Sequence, residues 1–204
     1  QEVTVADVPV RALRVTFVGE LGWELYASSE YGAALWSALW DAGQQAGLVA
    51  GGYRAIESMR LEKGYRVWGT DITAETNPYE AGLGFCVKLD KPGGFEGRDA
   101  LREVKQRGPQ RRLRALVLDD PRAVVLGSEP VRVGDRVVGR VSSGGQGYTA
   151  GASIAYAYLP VGHGAPGTRV AVELFGQWIP GAVSREPLFD PAGDRVHGRC
   201  EDST

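Results

Sequence analysis

Residues 60–71 read Arg60-Leu61-Glu62-Lys63-Gly64-Tyr65-Arg66-Val67-Trp68-Gly69-Thr70-Asp71. The spacing predicts the charged end of a helix running from Tyr53 to Lys63, with Ala55, Met59 and partly Ile56 toward a core and Arg54, Glu57, Arg60 and Glu62 on other sectors. Gly64 lets the chain change direction, after which Tyr65, Trp68 and Asp71 are displayed by an irregular segment. An aromatic wall beside a carboxylate suits a flat polar ligand, and it equally suits a packed loop with a charged rim. Upstream, Gly19 to Tyr26 reads GELGWELY, a glycine turn that holds Glu20 at a strand end and puts Glu24 on the strand beyond. Glu20 can accept donors from a heterocycle, face water or pair with an arginine.

Working outward, Val10–Val18 alternates as a strand with Leu13, Val15 and Phe17 on one face. Ser28 or Ser29 caps a helix whose stripe is Ala34, Leu35, Ala38, Leu39 and Ala42, with Gly43 and Gly47 as alternative ends. Trp36 and Trp40, four apart, are read as packing residues. Phe85 and Val87 read as the core side of a strand, and Asp99–Lys105 as a short surface helix. Beyond Gly108 the character changes to short β-prone runs: Leu113–Val117, Pro130–Val133, Val137–Ser143, Ser153–Tyr158, Arg169–Phe175 and Trp178–Val183. Gly144, Gly145 and Gly147 read as a sharp turn. RGPQRR marks a boundary at 106–112, so the expected domains are 1–108 and 109–204, and the numerous short strands suit a barrel.

Composition narrows the function classes. With 23 basic and 25 acidic residues, the formal charge of -2 supplies no positive field for nonspecific nucleic-acid binding. No run approaches the roughly 18 apolar residues of a membrane-spanning helix, and the opening QEVTVADVPVR has no signal-peptide pattern. Cys86 and Cys200 match no metal-ligand spacing, and two cysteines do not make a disulfide scaffold, so a reducing cytoplasm is expected. His163 and His197 make no zinc motif, and neither a GxSxG elbow, a phosphate-binding glycine loop nor a GxGxxG dinucleotide fingerprint occurs.

VTFVGELGWELY at 15–26, YRAIESMRLEKGYRVWGTDI at 53–72, NPYEAGLGFCVKLDK at 77–91, FEGRDAL at 95–101, VGRVSSGG and EPLFDP together resemble the folate-binding aminomethyltransferase superfamily of glycine-cleavage T-proteins. MRLEKG followed by YRVWGTDI is nearest the C-terminal regions of dimethylglycine and sarcosine dehydrogenases. The resemblance implies an α+β fold, a partial folate-binding aminomethyltransferase domain followed by a small antiparallel β-barrel, and covers the C-terminal half of a T-protein. It implies tetrahydrofolate as cofactor, with FAD only where an N-terminal oxidoreductase domain exists. It maps recognition of the pterin edge to Glu20 and the helix arginine before the LE pair to Arg60, with Tyr65, Trp68 and Asp71 as rim candidates and Glu62 organising the helix. The catalytic acid of the family belongs to a preceding half, so no residue here is assigned as catalytic. Two functions follow from it: a one-carbon transfer from an aminomethyl donor as in glycine cleavage, or the folate-binding portion of a flavin-dependent dimethylglycine or sarcosine dehydrogenase; a non-catalytic binding or assembly module is the alternative of a different class, whatever the ancestry. The implied partners are folate, an aminomethyl donor, and a lipoyl carrier protein or an N-terminal flavin domain, with neither nucleic acid nor membrane.

Overall fold

The structure is a computed structural model and describes residues 1–199. Strands β1 (Glu2–Val5), β2 (Val8–Leu13) and β3 (Glu24–Tyr26) precede helices α1 (Gly32–Gly43), α2 (Tyr53–Lys63) and α3 (Arg98–Arg107). Then come β4 (Arg111–Leu118), β5 (Pro130–Val133), β6 (Arg136–Gly147), β7 (Ala152–Pro160), β8 (Arg169–Leu174) and β9 (Gln177–Val183), and the single turn α4 (Asp194–His197). The fold is the expected mixture of helices and sheets with a barrel, and the barrel is closed. Cys200 lies outside the described residues.

The chain packs as two compact units, one of Gln1–Glu57 with the segment from Ala192, the other Ser58–Pro191. This division falls inside α2, whereas the composition change falls at 106–112. Residues 58–108 join the barrel because their polar groups are satisfied by it. The Ser58 hydroxyl donates to the Gln146 carbonyl at 2.7 Å, the Tyr158 hydroxyl to the Asp71 carbonyl at 2.8 Å, and the Leu113 N–H to the Glu80 carbonyl at 2.8 Å.

In the first unit β1, β2 and β3 form an antiparallel sheet in that order. Strict alternation along β2 buries Val8, Val10 and Ala12, and Val8 and Val10 cluster with Leu35 of α1. The buried face is thus the opposite of the one carrying Leu13, Val15 and Phe17, all of which are exposed. β2 also ends at Leu13, five residues short of the expected strand, because Thr16 turns the chain by accepting the N–H groups of Val18 and Gly19. Trp36 and Trp40 stack on each other at 6.0 Å between centroids, but Trp36 is largely exposed, so that contact is local to one face of α1.

In the second unit six antiparallel strands close in the order β4-β7-β6-β5-β8-β9. Its core has two buried clusters, one including Leu116, Val125, Val131, Val141, Leu159 and Val172, the other Leu61, Leu113, Ala115, Ile154 and Tyr156. Closure removes the free strand edges that an open sheet would present. The Gly144–Gly147 run is not a turn. It is the end of β6, paired with β7 through Gly144↔Ala155, Gly145↔Ile154 and Gly147↔Ala152. A Cβ at 144 would lie 2.9 Å from both the Val125 side chain and its carbonyl, so glycine here permits close approach rather than a bend. Phe85 sits in a 3-10 turn at Gly84–Cys86 and is exposed, not on a core-facing strand.

Candidate functional site

The RLEKGYRVWGTD segment folds back on itself. After α2 the Tyr65 N–H donates to the Arg60 carbonyl, and the Val67 carbonyl then accepts from Asp71 and Ile72. This loop drives Asp71 inward until it and Arg60 are enclosed, and their side chains meet at 2.9 Å. Asp71 also accepts from the Ser142 hydroxyl at 2.6 Å, the Ser143 hydroxyl at 2.7 Å and the Val67 N–H at 3.0 Å. Arg60 also reaches Ser143 at 3.1 Å and the Tyr65 carbonyl at 3.3 Å. A buried pair is tolerated only when its remaining hydrogen-bonding groups are met, and these are. Arg60 and Asp71 are internal struts that seat the C-terminal end of α2, from Ser58, on the barrel, and the Arg60 guanidinium presents no surface to a ligand.

Tyr65 is half-buried at this junction, and Trp68 is 71% exposed on the loop beyond it. Glu62 is buried, its carboxylate accepting the Ala150 N–H at 2.8 Å and its carbonyl the Leu188 N–H at 3.0 Å. Burial pushes the Tyr156 and Tyr158 hydroxyls above the ordinary tyrosine value, and the Tyr156 hydroxyl donates to the Leu61 carbonyl at 3.1 Å.

Glu20 belongs to the first unit. Both its oxygens take the Nε–H of Arg195, at 2.6 and 2.7 Å, beside a hollow of about 180 Å³ lined by Arg14, Thr16, Gly22 and His197. The structural pairing left open from the sequence is therefore the one formed. Glu20 and the trio Arg60, Tyr65 and Trp68 lie in different compact units.

Glu24, placed on a strand but not singled out as a site from the sequence, has the more available carboxylate. It is half-buried on β3 opposite Leu13, and one oxygen accepts the Tyr26 hydroxyl. Its other oxygen has no partner among the described residues. That hydrogen bond, reinforced by the carboxylate charge, raises the Tyr26 pKa. Glu24, Tyr26, Leu13 and Arg11 share the sheet face away from Leu35, and a groove of about 510 Å³ lined by Glu2, Pro9, Arg11, Leu13, Tyr26 and Ser28 covers the part of it next to Glu24. The exposed Leu13 and Tyr26 side chains give an apolar and aromatic floor, and the Glu24 carboxylate beside them is the acceptor that a flat, hydrogen-bond-donating heterocycle needs. The alternation that points Glu24 and Tyr26 to one face was readable in the sequence; the Arg195 partner that occupies Glu20, 175 residues away, was not.

Residues 1–91 match the GCVT N-terminal domain, and residues 111–190 match the glycine cleavage T-protein C-terminal barrel domain. The chain belongs to the glycine cleavage T-protein family. Two kinds of relative align along most of this chain. Rat mitochondrial dimethylglycine dehydrogenase is 41% identical over 90% of this chain and 22% of its own length. The aminomethyltransferase of Symbiobacterium thermophilum is 42% identical over 93% of this chain and 50% of its own. The crystal structure of glycine cleavage system aminomethyltransferase T from Bartonella henselae superposes with a TM-score of 0.79 at 29% identity, covering 87% of this chain and 49% of that one. The chain thus spans about half the length of these aminomethyltransferases and about a fifth of the dehydrogenase. Among the described residues no cluster of histidine, cysteine, aspartate and glutamate is arranged to hold a metal ion, and no helix is long and apolar enough to cross a membrane.

Proposed function

We propose that this chain is part of a tetrahydrofolate-dependent aminomethyltransferase that moves a one-carbon unit from an aminomethyl donor, as in glycine cleavage. The observation that carries the reading is the succession of both T-protein domains along one chain, at 1–91 and 111–190. Bound tetrahydrofolate supplies the nucleophilic nitrogen that takes up the carbon. The chain's own part is to bind and orient it. Glu24 accepts donors from the pterin edge while Leu13 and Tyr26 cover its face, which lowers the entropic cost of bringing nitrogen and carbon together. Glu20 serves in the same turn only if the ligand displaces Arg195. Arg60 acts through the junction it holds, and Tyr65 and Trp68 offer an aromatic rim within the second unit. A lipoyl carrier protein is the proposed bearer of the aminomethyl group. The cytoplasm is proposed on cysteine usage alone.

The dehydrogenase likeness supports a second reading, in which the same folate surface serves a flavin-dependent amine dehydrogenase and receives its one-carbon product. A third, an assembly module, predicts folate binding without transfer. Anaerobic calorimetry of the full chain with tetrahydrofolate tests the shared premise. Saturable binding weakened roughly tenfold by Glu24→Gln is expected, as for loss of one charge-assisted hydrogen bond. A folded protein that takes up no tetrahydrofolate sinks the assignment of a folate surface to these residues.

A further inference from the structure

A cleft of about 670 Å³ lies wholly within the second unit, and its charged lining is Lys63, Arg66, Arg114, Arg185 and Glu186. The cations do not all have counterions. Lys63 is held by the Asp190 carboxylate and by its carbonyl at 2.7 Å. Arg66 is fixed by Glu186 at 2.6 Å, by the Ala81 carbonyl at 3.1 Å and by the Gly64 carbonyl. The second Glu186 oxygen is already used, accepting the Ala115 N–H at 3.1 Å. Arg114 and Arg185 are then left with no carboxylate partner among the described residues. The Arg114 Nε is enclosed by protein and makes no hydrogen bond at all. Two glycines clear space around these forks: a Cβ at Gly164 would stand 3.1 Å from Arg114 Nε, and one at Gly82 would stand 3.1 Å from an Arg66 terminal nitrogen.

The enclosed Nε leaves Arg114 under-satisfied within the protein, and two positive charges without carboxylate partners in one cleft mark the place of a missing anion. Desolvation lowers the Arg114 pKa, Glu186 opposes this, and the neighbouring Arg112 and Arg66 charges add to it. An anion would relieve both the desolvation and the repulsion. Planar guanidinium forks suit the paired oxygens of a carboxylate or phosphate. Phe85, 76% exposed at the rim, adds an apolar contact for the body that bears the charge.

We propose that this cleft is a binding site for an oxyanion, a carboxylate or phosphate group of a small molecule, held by Arg114 and Arg185 with Arg66 as the positioned wall. The site is independent of the folate surface on β2 and β3. Titration of the full chain with inorganic phosphate and, separately, with glutarate at low ionic strength tests it by calorimetry. Saturable binding of one stoichiometric anion is expected, and the tighter of the two probes tells phosphate from carboxylate. Arg114→Gln and Arg185→Gln should each weaken it roughly tenfold or more. Arg122→Gln, on an exposed turn outside the cleft, should leave it unchanged. Arg185 is itself exposed, so its variant keeps the test valid if Arg114→Gln fails to fold. No saturable uptake of either anion by the folded protein overturns the proposal, as does uptake that both cleft variants leave intact.

Discussion

Asp71→Asn should be among the most damaging conservative changes in this chain. The carboxylate receives four donors: the Arg60 guanidinium at 2.9 Å, the Ser142 and Ser143 hydroxyls at 2.6 and 2.7 Å, and the Val67 N–H at 3.0 Å. An amide of the same shape keeps one oxygen, replaces the other with a donor facing donors, and leaves Arg60 charged at 0% exposure. Removing one partner of a buried pair costs about 3–5 kcal/mol, because the other charge stays desolvated. For a unit of this size that corresponds to a fall in melting temperature of roughly 10–20 °C. Denaturation followed by circular dichroism measures it, with a double-mutant cycle to separate the pair from its surroundings. Arg60→Met with Asp71→Leu, which removes both charges, should be less destabilising than Asp71→Asn alone. A loss below about 1 kcal/mol for Asp71→Asn, or a double variant whose loss equals the sum of the singles, would refute the strut reading.

Gly144→Ala should destabilise the barrel by about 1–3 kcal/mol without changing its fold, since the added methyl meets Val125 and the Ile154 carbonyl at 3.0 Å or less; an unchanged denaturant midpoint counts against close β6–β7 approach. Glu24→Gln should bring the Tyr26 pKa back toward the ordinary value, seen as earlier tyrosinate absorbance in an alkaline titration, whereas Glu20→Gln should not. Tyr156 and Tyr158 have raised pKa values when folded, so they keep full stability below pH 10 and lose it as the pH rises beyond, where only the unfolded chain ionises readily. Tyr156→Phe should flatten that alkaline decline, at the cost of about 1 kcal/mol near neutrality from the lost bond to the Leu61 carbonyl; a decline of unchanged steepness excludes Tyr156 as its source.

The open sheet face also shows how a site was partly visible and partly hidden. Glu24 and Tyr26 stand two apart on a strand, so their common face followed from the pleat. Glu20, chosen because a glycine turn holds it, is taken by Arg195 from a distant part of the chain, and no local pattern carries that information. Helical spacing put Arg60 on a sector away from the core face, and the resemblance made it a folate-site arginine; the acceptors that draw it inside come from a loop eleven residues on and from β6.

The sequence by itself determined the elements whose signals are local. α2 runs over Tyr53–Lys63 and β5 over Pro130–Val133 as their periodicity and flanking residues indicate, and the short strands beyond Gly108 were compatible with a barrel. Only the tertiary structure decided where the units divide, which face of β2 is buried, and that Gly144–Gly147 is strand. Each of these depends on what approaches from far along the chain: α1 against Val8 and Val10, the barrel's hydroxyls and carbonyls that bond residues 58–71, and the Val125 backbone against Gly144. Periodicity records which residues share a face, while the partner that covers the face, or the charge that claims a carboxylate, exists only once the chain has closed on itself.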